Sequence, residues 1–296
     1  MGSARHIGHL LLAIAIVWAV PVGAIPSWSF PGKLAIFARG LRDARPILAY
    51  NATLRFPAAS VIKLVVLVGV VRRIDSRRLT WDTTLQIHRS EIVAGSESFG
   101  SVAPGTRATV RRLARAMISQ SDNTAGNVLA DELSFASVND VAVSLGLSQT
   151  RLRRHFMDFA ARARGIDNTT SAADMGSLLI GIERGARRLS SAVATSQSCR
   201  AILAMMLQQE DRDTIPAGIR RRIPIANKTG VLDDVRNDVA IIDPFGLHPY
   251  VLVLLSQFAP AQTPAAYFRL RVLAGEVDAF ARSTASKKRS ISSSVV

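Results

Sequence analysis

Ser60 and Lys63 are the first two residues whose types and spacing could do chemistry. The apolar residues that follow recur at helical spacing, which predicts a helix that begins at Ser60. Side chains three positions apart share one helix face, so the Lys63 amine could reach the Ser60 hydroxyl. A lysine can activate a serine nucleophile if burial or nearby positive charge lowers the lysine pKa. Alone, the pair is a weak signal, because the same spacing is common in ordinary helices.

Two later segments strengthen this interpretation. Ser121-Asp122-Asn123 begins 61 residues after Ser60, and Lys228-Thr229-Gly230 begins 107 residues after Ser121. Each segment alone is also explained by structure, the first as a helix cap and the second as a strand that enters a turn. Together and in this order they form the triple signature of class A β-lactamases and penicillin-binding proteins. The chain resembles the class A β-lactamase family over about residues 33–284.

The resemblance implies a role for each residue of the signature. Ser60 would attack a carbonyl and form an acyl-enzyme, and Lys63 would accept its proton, directly or through water. Ser121 would relay a proton to the departing nitrogen, while Lys228 would lower neighbouring pKa values and attract a substrate carboxylate. The backbone N–H groups of Ser60 and Val231 would form the oxyanion hole. Further substrate contacts are expected at Asn123, Thr229, Gly230 and Arg236, of which the last is explained equally well as a plain surface arginine.

One segment departs from the family pattern. Residues 150–155 resemble the start of the family's omega loop, where a glutamate that positions the deacylating water normally follows. Phe156 occupies that place, and Ala160 stands where the family has an asparagine. Phenylalanine can neither accept a proton nor hold that water, so deacylation rather than acylation should limit the reaction with β-lactams. Asp158 is the nearest carboxylate, and the sequence leaves open whether it reaches the site.

Composition and charge narrow the class of protein. With 48% hydrophobic and 20% charged residues, the 296-residue chain is expected to fold around a sizeable core. A net charge of +15 suits either an anionic cell envelope or a solvated basic surface without a dedicated partner. No nucleic-acid partner is expected, because no zinc-finger, RRM or helix-turn-helix signature is present. Cys199 is the single cysteine and the five histidines lack ligand spacing, so no disulfide, metal or cofactor is expected.

The beginning of the chain predicts export. Residues 1–24 contain Arg5, an apolar run over residues 10–20 and an A-x-A-like site at Val22-Gly23-Ala24, which indicates a cleaved signal peptide. An uncleaved membrane anchor is the alternative, although the run is short and Pro21 interrupts it. A secreted, periplasmic or cell-wall-associated protein without a transmembrane segment is therefore expected. Residues 25–284 would form the catalytic domain, and residues 285–296 a disordered basic, Ser-rich tail.

The elements that must position these residues are strands at both ends and helices between them. The main predicted strands span residues 33–39, 47–51, 223–228, 239–242 and 250–257, and the main predicted helices span 60–74, 109–120, 137–145, 195–208 and 263–283. Pattern alone indicates an α/β or α+β fold. The resemblance implies an antiparallel sheet flanked by helices, beside an all-helical lobe, with the site between them.

We therefore hypothesise an exported serine hydrolase that forms an acyl-enzyme, with β-lactam hydrolysis and slow deacylation as the first interpretation. One alternative is a DD-peptidase-like or other amidase or esterase that acts on cell-wall peptides. Another is a penicillin-binding protein that does not hydrolyse its ligand. The intact catalytic signature argues against a pure binding module, because a binder would not need a base beside the serine.

Ser60→Ala should abolish covalent labelling by a penicillin-type acylating probe, because the variant lacks the oxygen that attacks the carbonyl. Intact-protein mass spectrometry measures the adduct, and circular dichroism checks that the fold is unchanged. Labelling of the variant at the wild-type rate would show that the assignment is wrong.

Overall fold

The structure is a computed structural model that describes residues 29–293, with side chains described up to Thr284. The predicted signal peptide lies outside the described residues, as do residues 294–296 of the predicted tail. Within the described part of the chain, no helix is long and apolar enough to cross a membrane. The same part contains no group of three or more histidine, cysteine or carboxylate side chains placed to hold a metal ion.

The first two strands and the last three strands of the chain form one five-stranded antiparallel sheet. The strands of the protein are β1 (Lys33–Gly40), β2 (Leu48–Tyr50), β3 (Phe56–Pro57), β4 (Thr84–Gln86), β5 (Arg107–Thr109), β6 (Thr169–Thr170), β7 (Ile225–Leu232), β8 (Val235–Ile242) and β9 (Tyr250–Gln257). The large sheet has the order β2-β1-β9-β8-β7, while β3 pairs with β6 and β4 with β5. Strand β7, which carries the Lys228-Thr229-Gly230 motif, is therefore an edge strand.

Helices cover both faces of the sheet. They are α1 (Lys63–Asp75), α2 (Val110–Ser119), α3 (Asn123–Leu133), α4 (Phe135–Ser144), α5 (Phe159–Ala163), α6 (Ala172–Ala186), α7 (Ser196–Leu207), α8 (Ile215–Gly218) and α9 (Thr263–Ser293). Successive residues of a strand point to opposite faces, and β1 shows this directly. Its residues Ala35 and Phe37 join the core with α1, whereas Leu34 and Ile36 join a second core with α8 and α9. The predicted class, an antiparallel sheet flanked by helices beside a helical lobe, is confirmed.

Helix α1 lies at the centre of the larger core. All nine residues from Lys63 to Val71 are buried, which explains why its sequence is apolar on nearly every face. Helices α2, α3, α4 and α7 pack around it. The helix begins one turn later than predicted, because Ala59–Ile62 forms a 3₁₀ turn that places Ser60 before the first α-helical residue. The nucleophile candidate thus lies directly before a fully buried stretch of helix.

Several predicted boundaries differ from the structure, and two of the differences are large. Strand β7 continues past Lys228 to Leu232, because Gly230 and Val231 pair with Asn237 and Arg236 of β8 and only two residues form the turn. Helix α9 continues past Ser283 to Ser293, so most of the tail expected to be disordered has helical backbone. No glycine or proline follows Ser283, and those are the residues that stop a helix most strongly.

Candidate active site

A cavity of about 260 Å³ lies between edge strand β7 and the helical lobe. Three of the segments that line it carry predicted site residues: the 3₁₀ turn before α1, the link between α2 and α3, and β7 itself. The residues of the predicted site that line the cavity are Ser60, Ser121, Asn123, Thr229 and Val231. Lys63 and Lys228 are fully buried, and both donate to Ser121.

Strand β7 approaches the turn that carries Ser60 very closely. A Cβ atom on Gly230 would lie 2.9 Å from the Ala58 carbonyl oxygen and 3.0 Å from the Ser60 backbone nitrogen. Glycine is therefore required at this position if the strand and the turn are to touch. The approach brings Ser60 and Val231 to the same cavity. Their role as an oxyanion hole stays a prediction.

The link between α2 and α3 is held in an uncommon conformation. Ser121 has a φ of +60°, in the left-handed region that serine rarely adopts. The fully buried Asp122 fixes the link, since its carboxylate accepts the Ala125 backbone N–H at 2.8 Å and so caps α3. The same carboxylate accepts the backbone N–H groups of Ser98 and Phe99, at 3.0 and 3.1 Å. Asp122 therefore supports the site from behind.

Lys63 donates to the Ser121 carbonyl oxygen at 2.5 Å and to Asn123 Oδ1 at 2.8 Å. Burial is the main cause that lowers the pKa of Lys63 well below its usual range; the charge of Lys228 lowers this pKa further, and Asp122 acts in the opposite direction. A neutral amine has two N–H donors for these oxygens and a lone pair that can accept a proton. Across residues 29–284 no hydrogen bond joins Lys63 to the Ser60 hydroxyl, so proton transfer needs a bridging water or a small rotation.

Lys228 approaches Ser121 from the other side. Its amine donates to Ser121 Oγ at 2.9 Å and to the Thr229 carbonyl oxygen at 2.8 Å. Burial lowers the pKa of Lys228 to about 7, although Asp211 and Asp238 act in the opposite direction. Because Lys63 Nζ lies 3.5 Å from the same Ser121 oxygen, this hydroxyl connects the two amines. Ser121 is thus placed to pass a proton between the Lys63 side of the cavity and a substrate.

Phe156 covers Lys63. The centroid of its ring lies 4.6 Å from the Lys63 amine, and the residue is 5% exposed. Asn127 of α3 fixes its backbone, since Asn127 Oδ1 accepts the Phe156 N–H at 2.8 Å and Asn127 Nδ2 donates to the Phe156 carbonyl. A Cβ atom on Gly126 would lie only 2.8 Å from the ring, so this glycine makes room for it. An apolar ring therefore occupies the position where the resemblance places a glutamate.

Asp158 and Ala160, the other two residues of this loop named in the sequence analysis, do not line the cavity. Asp158 caps α5, where its carboxylate accepts the Ala161 N–H at 2.9 Å, and it does not line the cavity. Ala160 is exposed on α5 and does not line the cavity either. The carboxylates that do line the cavity are Glu97, Glu210 and Asp211.

Ion pairs tie the loop to the sheet. The buried Arg154 pairs with Asp167 at 2.8 Å. Arg162 also pairs with Asp167, at 3.0 Å, and reaches across to Asp234 in the turn between β7 and β8, at 2.7 Å. The segment that carries Phe156 is therefore anchored at both ends, and Phe156 is held over Lys63.

Arg236 was predicted as a substrate contact, but it does not line the cavity. It is 3% exposed, its terminal nitrogens donate to both oxygens of Asp211 at 2.7 Å, and its Nε donates to Thr214 Oγ1 at 2.6 Å. The guanidinium also stacks on the Tyr267 ring, 4.7 Å from the centroid. Sequence reasoning missed both Asp211 and Asn127, because neither lies in a motif and only the fold brings them to the site.

Comparison with known proteins identifies the family. The sequence model of the β-lactamase enzyme family matches residues 25–271. The chain belongs to the β-lactamase enzyme family. A β-lactamase of Kitasatospora aureofaciens is 30% identical to this family member over 264 residues, which cover 84% of this chain and 81% of that protein.

Solved structures agree with the assignment to the β-lactamase family. PBP-A is similar with a TM-score of 0.76 and 25% identity, over 84% of this chain and 90% of that chain. A leucine-to-glutamate mutant of PBP-A, solved as an acyl-enzyme complex with penicillin G, gives the same values. A β-lactamase from Sphaerobacter thermophilus has a TM-score of 0.74 and 25% identity, over 84% of this chain and 92% of that chain. This β-lactamase-family chain is therefore a serine hydrolase with the class A fold.

Lys63→Met should slow acylation by the ~10²–10⁴-fold that loss of a general base typically costs, while the apolar stem is preserved. Stopped-flow or quenched mass spectrometry with a penicillin-type probe measures the rate. Lys33→Met is the matched control, because Lys33 is exposed at the start of β1. A loss below about threefold would assign the base role to another group.

Lys228→Met should flatten the dependence of stability on pH between about pH 7 and 9. Across that range the folded protein releases the Lys228 proton, because its pKa is about 7, whereas the unfolded chain retains it. The unfolded state binds more protons, so the wild type gains unfolding free energy from this group as the pH rises.

Denaturant titrations of the wild type and the variant at matched pH values measure the difference, in which the contributions of titrating groups that do not interact with Lys228 cancel. Lys33→Met should keep the wild-type slope. Parallel curves for the wild type and Lys228→Met would contradict the lowered pKa.

Proposed function

We propose that this enzyme is acylated at Ser60 by β-lactams and releases the acyl group slowly. The observation that carries the proposal is the Phe156 ring over the Lys63 amine, at 4.6 Å, in a site that keeps the residues expected to carry acylation. The names of the family and of the relative from Kitasatospora aureofaciens support the substrate class.

The residues expected to carry acylation either line the cavity, as Ser60 and Ser121 do, or are buried beside Ser121, as Lys63 and Lys228 are. Ser60 Oγ would bond to the β-lactam carbonyl carbon while its proton passes to the neutral Lys63 amine, directly or through water. The C–N bond of the ring then breaks, and the nitrogen takes a proton through the Ser121 hydroxyl, which lies 3.5 Å from Lys63 Nζ and 2.9 Å from Lys228 Nζ. Each oxyanion-hole donor is typically worth roughly 2.7–4 kcal/mol.

Deacylation needs a base for water, and the site offers a poor one. Over residues 29–284, the hydrogen-bond acceptors of Lys63 are the neutral oxygens of Ser121 and Asn123 and include no carboxylate. Asp158 is committed to the cap of α5. The ester at Ser60 would therefore meet weakly activated water, and losing general-base help typically costs ~10²–10⁴-fold in rate.

A cell-wall peptide is the second candidate substrate. It is favoured by the same Phe156 contact together with the similarity to PBP-A, whose mutant forms an acyl-enzyme with penicillin G. In that case β-lactams would act as slowly released inhibitors of a DD-peptidase-like enzyme. Release of the terminal residue from a D-Ala-D-Ala peptide, measured beside β-lactam turnover, separates the two candidates.

Export remains part of the proposal. It is supported by the signal-peptide pattern of residues 1–24, and the net charge of +15 suits an anionic cell envelope. Sequencing the N-terminus of the mature protein from culture medium or cell envelope tests it, with cleavage after Ala24 as the expected result.

The wild type should form one equivalent of acyl-enzyme with penicillin G, followed by a slow steady state. Phe156→Glu should speed release by about 10²-fold, because it returns a carboxylate to the neighbourhood of Lys63 and the ester. Intact-protein mass spectrometry follows the adduct after excess ligand is removed.

Phe156→Leu is the matched control, since it changes the size of the side chain without adding a base and should leave release slow. The family has an asparagine where this chain has Ala160. The test does not include Ala160→Asn, because Ala160 is exposed on α5. Rapid wild-type turnover without an accumulating adduct would contradict slow release and would make Glu97 and Glu210 the next bases to test.

A further inference from the structure

The end of the sheet that lies away from the cavity is formed by three segments. The turn between β7 and β8 follows Leu232, which lines the cavity, and β8 then runs for eight residues, or about 26 Å, to the loop of residues 243–249. The turn between β1 and β2 lies at this far end too, because the Leu41 N–H donates to the Pro249 carbonyl oxygen at 3.2 Å. The end of α6 also lies here, since Glu183 accepts the Phe245 N–H at 3.0 Å.

Three large apolar side chains are exposed on this surface. Leu247 is 82% exposed, Leu189 60% and Phe245 50%. Arg187 of the segment that follows α6 contacts the loop, since its guanidinium lies 5.6 Å from the centroid of the Phe245 ring and donates to the Gly246 carbonyl oxygen at 3.2 Å. Single exposed apolar residues are ordinary, whereas several in one place mark a surface that contacts another molecule.

The loop that carries Phe245 is held in an uncommon conformation. Asp243 has a φ of +54° and Phe245 a φ of +66°, in the left-handed region that a bulky side chain rarely adopts. The buried Glu183 supports this backbone, because its Oε1 accepts both the Phe245 N–H at 3.0 Å and Arg187 Nε at 2.8 Å. Backbone strain of this kind persists only where the surrounding structure maintains it, and it is common at functional sites. The exposed Phe245 is therefore a fixed feature of the fold.

Arginines surround the three apolar side chains. The segments of residues 40–47, 183–200 and 243–249 contain six arginines, which are Arg42, Arg45, Arg184, Arg187, Arg188 and Arg200. All of them except Arg187 are exposed. The carboxylates of the same segments are Asp43, Glu183 and Asp243, and none of these three is exposed. We call Leu189, Phe245 and Leu247 together with the six arginines the arginine-rimmed patch.

We propose that the arginine-rimmed patch binds the surface of an anionic phospholipid bilayer. Phe245 and Leu247 enter the boundary between headgroups and acyl chains, while the exposed arginines attract the lipid phosphates. The apolar members favour a bilayer over a soluble polyanion, because a polyanion offers no apolar layer in which to bury them. The patch and the cavity lie at opposite ends of the sheet, so the bound protein keeps its cavity accessible. The proposal is independent of which substrate acylates Ser60.

Sedimentation with lipid vesicles tests the proposal. The chain from Ile25 onward, which keeps every residue of both cores, should bind vesicles of phosphatidylglycerol and phosphatidylcholine at least about tenfold more tightly than vesicles of phosphatidylcholine alone. Binding should weaken as the salt concentration rises, because salt screens the attraction between arginine and phosphate. Equal binding to both kinds of vesicle, or no binding to the anionic vesicles at low salt, would overturn the proposal.

The first variant removes the apolar side chains of the loop. Phe245→Asn together with Leu247→Ser should weaken binding to the anionic vesicles by at least about tenfold, because the variant buries less apolar surface. Asparagine tolerates the left-handed backbone of residue 245. Phe159→Asn is the matched control, since Phe159 is 47% exposed but lies on α5 in the loop near the cavity, and it should leave binding unchanged. Circular dichroism checks that each variant keeps its fold.

The second variant removes charge and leaves the apolar side chains in place. Arg184→Gln together with Arg188→Asn should also weaken binding to the anionic vesicles by at least about tenfold, and asparagine suits the φ of +62° at residue 188. Arg153→Gln together with Arg164→Gln is the matched control, because both arginines are exposed in the loop near the cavity. Equal losses in the patch variant and its control would overturn the proposal. A loss with the charge variant but none with the apolar variant would indicate a purely electrostatic contact with a polyanion and would overturn it as well.

Discussion

The burial of two lysine amines around one serine hydroxyl is the constraint on which the rest of the site depends. Taking an ammonium group out of water costs several kcal/mol unless the group is paired or loses its proton. Hydrogen bonds offset part of this cost, since Lys63 and Lys228 both donate to oxygens of Ser121. It also lowers the pKa of both amines, chiefly by burial. A lowered pKa is what a lysine needs in order to act as the base for a serine.

The surrounding backbone brings the two lysines and the Ser121 hydroxyl together. Ser121 reaches both amines because its backbone adopts a left-handed conformation that Asp122 fixes from behind. The edge strand β7 can deliver Lys228 only because Gly230 lets it touch the turn of Ser60. Helix α1 holds Lys63 at the start of a fully buried run of residues. The left-handed backbone of Ser121 and the glycine at position 230 are thus both explained by the contacts that bring the two lysines to one hydroxyl.

The loop with Phe156 changes the chemistry without changing the scaffold. The ring lies over Lys63 where a carboxylate would help water attack the ester, and Asn127 holds it by both backbone polar groups. An aromatic face favours the charged form of an amine, yet the ring also excludes water, and burial is the larger effect on the Lys63 pKa. A site of this kind keeps its acylation groups while its means of deacylation is weakened.

Local patterns in the sequence determined the fold class, the family and the residues at the centre of the cavity. The spacing of Ser60 and Lys63, the two later motifs and the apolar helix after Ser60 depend on neighbours along the chain, so they are visible without coordinates. Phe156 was likewise visible as a departure, although its contact with Lys63 was not. Tertiary structure decided everything that depends on distant pairs. Asp211 and Arg236 are 25 residues apart, and Asn127 and Phe156 are 29 residues apart. Burial and partners set whether a charged side chain faces a substrate or another residue, and both arise only when separate segments pack together.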